Sequence, residues 1–105
     1  MEFSENKEYI IIKINKQPEL TSLINFLNTT GSKQRHLIID FLDTDIADHL
    51  IVNQLLPFHF NWQKRNKSFI LVSNMGKKVL KELVSLKTRE EAFDFFQMEQ
   101  LTRII

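Results

Sequence analysis

His36-Leu37-Ile38-Ile39-Asp40-Phe41 is the stretch that decides the fold. Three consecutive aliphatic residues leave no alternation of apolar and polar positions. Extended, the segment is apolar on both faces, which is the pattern of a strand buried between covering layers. Two other runs repeat it: Tyr9-Ile10-Ile11-Ile12-Lys13-Ile14 before it and Phe69-Ile70-Leu71-Val72 after it. A shorter run, Val84-Ser85-Leu86-Lys87, can add a fourth strand.

Helical patterns separate these runs. Pro18 and Glu19 open the first helix, because a missing N–H costs nothing in a first turn. Leu20, Leu23, Ile24 and Leu27 form its apolar stripe, and Gly31 is the expected cap. A long helix is predicted from about Ile46 to Lys64, with a kink or break near Leu56 where Pro57 interrupts the hydrogen-bond ladder. Within it, Ile51, Val52, Leu55, Phe58 and Trp62 share a broad face, while Leu50 and Phe60 point elsewhere. A short helix from Lys77 to Leu83 follows the third strand. Thr88-Arg89-Glu90-Glu91 reads as a capping box that opens a last helix towards Ile105. Strands alternating with helices predict an α/β fold, a four- to five-stranded mostly parallel sheet with helices packed on it.

The chain has 105 residues, the size of one domain, so residues 1–105 are read as a single unit. Hydrophobic residues make up 43%, which is enough for a core, and 26% are charged. There are no cysteines, so disulfides and thiolate-bound zinc are excluded and a reducing compartment is expected. The first eight residues are polar and no run reaches the roughly 18 apolar residues of a membrane span. A cytoplasmic protein with no membrane association is the expectation. Net charge is only +1, but its distribution is uneven. Asp40, Asp43, Asp45 and Asp48 crowd together, and basic residues dominate from Lys64 to Arg89, so one end is expected to be acidic and another basic.

Residues that could do chemistry are sparse. Gly31 and Gly76 are the only glycines, so no phosphate-cradling loop exists. Ser73 is the best-placed serine and reads as the cap of the following helix. His36, His49 and His59 lack the partner spacing of a metal site, and no metal or cofactor is expected. His36 is read as a strand-edge residue and His59 as part of a helix surface. The acidic cluster reads first as capping at the head of the long helix. The basic stretch lacks a recognition helix or an aromatic-and-basic strand face, so nucleic acid is not the expected partner. In the last helix, Ala92, Phe93 and Phe96 cluster, while Met98, Leu101, Ile104 and Ile105 project from nearly the opposite side. Either the chain bends to bury this second set, or it is exposed and suited to a homodimer contact.

The order of elements resembles a STAS domain, the fold of anti-sigma factor antagonists. The likeness lies in an apolar strand, a helix opened by Pro18-Glu19-Leu20, a strand ending in Asp40, a loop with Asp43-Thr44, a long helix, and strand Phe69 to Val72 followed by Ser73. Val84 to Ile104 also resembles short STAS-like proteins sometimes named ribonuclease Z. Three scattered histidines cannot supply that enzyme's two-metal motif, so the chain is read as non-catalytic. The resemblance implies a regulatory module that docks a protein, an anti-sigma-like or other regulator, through Asp43, Thr44, Asp45, Asp48, His49 and Leu50. It also implies a phosphorylated hydroxyl after an aspartate, and Thr44 is the matching position. Asp45, Ile46, Ala47 and Asp48 replace the family's small residues and glycine there, which points to a permanently acidic surface with the switch lost. The alternatives are a homodimeric structural protein or an RNA-associated adaptor using the basic 64–89 region.

Overall fold

The computed structural model describes residues 1–29, 35–75 and 83–104. Five strands and three helices occur among them: β1 (Glu2–Glu5), β2 (Tyr9–Lys13), α1 (Glu19–Leu27), β3 (His36–Asp40), α2 (Asp48–Lys64), β4 (Phe69–Val72), β5 (Val84–Leu86) and α3 (Arg89–Ile104). The strands form one sheet in chain order, β1-β2-β3-β4-β5. β2 to β5 run parallel, and β1 lies antiparallel to β2 at the edge.

The α/β reading therefore stands, and the five strands fall within the four- to five-stranded, mostly parallel sheet expected, β1 being the one that no apolar run marked. β1 had no signal because all four of its residues are exposed. With Glu at both ends and Ser4 between, it suits an edge that meets water on both faces. Phe3 gives it one anchor, meeting the Phe26 ring edge-on at 5.1 Å.

Crossovers from β2 to β3 and from β3 to β4 step the same way across the sheet. Connections of one hand must then place α1 and α2 on the same face. The packing agrees. Ile10, Ile12, Leu37, Ile39, Phe69 and Leu71 meet Leu20, Leu23 and Leu27 of α1 and Ile51, Leu55 and Trp62 of α2. The alternate strand residues Ile11, Ile38, Ile70 and Val72 meet Ala92 and Phe96 of α3 on the other face. A one-residue slip of any strand would exchange these two sets, so the pleat fixes the register. Each fully buried Leu or Ile contributes about 1.5–3 kcal/mol of transfer free energy.

Several local expectations are corrected. α1 ends at Leu27 rather than at Gly31, which lies outside the described residues. The Thr29 hydroxyl donates to the Phe26 carbonyl at 2.7 Å and closes that last turn early. α2 starts at Asp48, not Ile46, and Ala47 holds the N-cap position without any side-chain cap. The aspartates therefore do not cap by hydrogen bond, although Asp48 still sits in the first turn, where negative charge is favourable. α2 runs unbroken through Pro57. Both Pro57 and Asn53, whose carbonyl loses its helical partner, are exposed, so water can take the place of the missing bond. α2 ends at Lys64 with Arg65 as its C-cap; the next residue, Asn66, is left-handed with φ 58°, and there Lys67 N–H reaches the Trp62 carbonyl and Asn66 N–H the Gln63 carbonyl.

His36 and His59 are buried rather than peripheral. His59 faces the core from α2, edge-on to Phe60 and Phe69. His36 opens the central strand, meets Phe96 edge-on at 4.8 Å and accepts the Ser68 N–H on Nδ1 at 2.9 Å. Burial, with Lys67 and Arg103 nearby, pushes its pKa down to about 4. Thr88 Oγ1 accepts the Glu91 N–H, the hydroxyl half of the expected capping box. α3 is unbroken to Ile104, so Met98 and Leu101 do not tuck back; they are 66% and 63% exposed. The side chain of Ile104, Ile105, and the helix read from Lys77 lie outside the described residues. Leu83, read into that helix, instead precedes β5 and is buried.

Candidate docking site

The loop between β3 and α2 is anchored in the core at both of its ends. Phe41 and Ile46 are buried. Phe41 N–H continues the sheet by bonding the Val72 carbonyl at 2.8 Å. Between these anchors Leu42 and Thr44 are half-buried, and Asp43 and Asp45 are exposed. Thr44 Oγ1 accepts the Ile46 N–H at 3.2 Å, so its hydroxyl helps to shape the turn. Ala47, Asp48 and His49 follow, all exposed, while Leu50 turns back and packs against the core. Asp43, Thr44, Asp45, Asp48 and His49 thus lie along one loop-to-helix segment. Leu50, read with them in the sequence, is half-buried and packs against the core at the end of the segment.

A charge network underlies the loop. Lys13 and Asp40 end neighbouring strands in direct register. Asp40 is 4% exposed; its Oδ1 accepts the Leu42 N–H at 2.9 Å and its Oδ2 accepts Arg89 Nε at 2.8 Å. Lys13 Nζ lies 2.6 Å from Asp43 Oδ2. The bond to Lys13, with Arg89 adding to it, holds the Asp43 carboxyl below the usual carboxylate range, and the Lys13 ammonium is raised in turn. Two acids and two bases thus neutralise one another, and Asp45 and Asp48 remain without an ion pair among the described residues. Lys13 and Arg89 were missed by sequence reasoning. The signal was present for Lys13: it and Asp40 both close apolar runs, and aligning those runs as parallel neighbours places the two together.

Beside the loop lies an open cleft of about 710 Å³, walled by Asn15 to Pro18 on one side and Leu42 to Asp45 on the other. A smaller hollow of about 90 Å³ separates Thr44 and Asp48 from Ser73, Asn74 and Met75. Ser73 Oγ bonds Ser85 Oγ and accepts the Met75 N–H, so its hydroxyl is engaged in structure. Among the described residues, no group of three or more His, Asp or Glu side chains is arranged to hold a metal ion. No described helix is long and apolar enough to cross a membrane.

Other sequence candidates lie elsewhere. Met98 and Leu101 sit on α3, across the sheet from α2. The basic stretch splits: Lys64, Arg65 and Lys67 lie at the amino ends of the parallel strands, whereas Lys87 and Arg89 lie at the carboxyl ends. Lys77, Lys78 and Lys81 are outside the described residues. No protein-family model matches the chain, and neither does any curated protein sequence.

Proposed function

We propose that this chain is a non-catalytic regulatory module of STAS-like type, docking a protein partner through Asp43, Thr44, Asp45, Asp48 and His49. The observation that carries the reading is the pair of exposed aspartates, Asp45 and Asp48, left unneutralised on a loop whose other charges cancel. Unpaired charge on a well-anchored loop attracts and orients an oppositely charged partner at little ordering cost. The order of strands and helices around the Asp40-to-Asp48 segment supports the STAS likeness. Thr44 Oγ1 engaged with the Ile46 N–H fits a module whose phosphorylation switch is lost. A cytoplasmic setting belongs to the same proposal and rests on the cysteine-free sequence. The test is affinity purification from the native host with the unmodified chain and with Asp45→Lys plus Asp48→Lys. Loss of the co-purifying protein from the variant is expected; a partner retained by both would refute this face.

A second reading is a homodimer through α3, favoured by the exposure of Met98 and Leu101 on an unbroken helix. Sedimentation velocity of the unmodified chain and of Leu101→Asp separates the two. A dimer that the substitution dissociates supports it, and a monomer from the outset removes it.

A further inference from the structure

The exit of α2 carries a second surface, at the opposite end of the helix from the docking loop. Phe60 is 41% exposed, although α2 buries Ile51, Leu55, His59 and Trp62 on its other side. Lys64 lies one turn beyond Phe60 on the same ridge, and Asn61 and Arg65 form the neighbouring ridge. Arg65 Nε donates to Asn61 Oδ1 at 3.1 Å. That bond steadies the guanidinium through its inner nitrogen and leaves the terminal amino groups for an anion. Lys67 follows the left-handed Asn66. Lys64, Arg65 and Lys67 have no ion pair among the described residues.

A single lysine in a last turn is explained by the helix dipole. Arg65 and Lys67 lie past that turn, and an exposed phenylalanine gains nothing from the dipole at all. An aromatic face flanked by unpaired cations, one of them a planar guanidinium, is the combination that holds single-stranded nucleic acid: bases stack and phosphates pair. The acidic loop does not cancel this patch. α2 separates the two by about 25 Å, several times the roughly 8 Å screening length at physiological salt.

We infer that the exit of α2, with Phe60 as a stacking platform and Lys64, Arg65 and Lys67 as phosphate contacts, binds single-stranded nucleic acid without base specificity. The surface is independent of the docking loop, so either assignment can fail alone.

The experiment is fluorescence anisotropy of the full chain with a labelled oligo-uridine strand of about 10 nucleotides, within the site sizes of single-strand binders. Three phosphate contacts predict a log–log salt slope of about −2 between about 50 and 200 mM salt. Phe60→Ala should weaken binding about tenfold while leaving that slope unchanged. Lys64→Gln with Arg65→Gln and Lys67→Gln should abolish binding, and Asp45→Lys with Asp48→Lys should not weaken it. All the altered side chains but Lys67 are exposed, so folding is expected to survive, and matching thermal midpoints check this. No anisotropy change at low salt overturns the inference. So does binding indifferent to Phe60→Ala, or poly-glutamate competing as well as the oligonucleotide, since either outcome makes the patch a general anion attractor rather than a base-stacking surface.

Discussion

The two faces of the sheet are held by different forces. On the α1 and α2 face the contacts are almost wholly apolar, with Trp62 fully buried and its Nε1–H donated to the Arg35 carbonyl at 3.0 Å. On the other face, among the described residues, α3 does the covering, and its buried apolar patch is small: Ala92 and Phe96 against Ile11, Ile38, Ile70 and Val72. α3 is fastened at both ends by polar clasps instead. Arg89 holds Asp40 at one end; at the other, Gln100 and Arg103 donate to Ser68 Oγ, whose neighbouring N–H is held by His36. The lesson is that apolar burial sets most of the stability, while the polar clasps set which conditions release α3.

The sharpest break of that comparison is truncation in each core. Trp62→Ala should cost about 4–5 kcal/mol in urea unfolding and Phe96→Ala about 3 kcal/mol, the first leaving the larger cavity. Equal losses would show the two faces to be energetically alike.

Acid comes next. His36 has a folded pKa of about 4 against an ordinary 6.5, so the unfolded chain binds the extra proton between those values. Its stabilising contribution is complete above about pH 6.5 and disappears as pH falls through about 4. The full effect is up to about 3 kcal/mol. Protonation of Nδ1 would also break the bond to the Ser68 N–H. The difference in unfolding free energy between the unmodified chain and His36→Gln should shrink across this window; a constant difference would separate His36 from the acid response.

A smaller effect is expected from Arg89→Ala, which leaves the buried Asp40 without its cation. Arg89 itself is 43% exposed, so water can partly replace it and the loss should be about 1–2 kcal/mol. Amide exchange should rise first in the opening turn of α3. Smallest of all, Met98→Ser should leave the thermal midpoint nearly unchanged, because that side chain is 66% exposed.

How much of this the sequence could convey depends on the kind of force involved. β2, β3, β4 and the stripe of α1 were legible because burial on both faces, or on one stripe, leaves a periodic apolar trace. β1 was invisible because an edge strand is defined by pairing with β2 and not by burial. Pro57 misled because its cost depends on whether Asn53 faces water, which only the packed helix decides. The loop at Asp43 to His49 was legible as a dense run of acids. The ion pair of Arg89 with Asp40 beneath it was not, since pairs between distant segments depend on how the elements pack, and Lys13 could be found only by aligning β2 with β3 as parallel neighbours. His59 was misplaced because a lone histidine beside Phe58 and Phe60 gives no hint of which neighbour shares its side.

Open α/β sheets commonly bind small molecules where two adjacent crossovers leave towards opposite faces and part the loops at the strands' carboxyl ends. Strands β2, β3 and β4 follow one another in chain order, and α1 and α2 lie on one side. The crossovers therefore do not part towards opposite faces there, and the loops after β2 and β3 stand as neighbours on one rim with the open cleft between them. Selectivity in such a layout has to be written along a rim, residue by residue, and reshaped by exchanging loop side chains while the sheet beneath stays as it is.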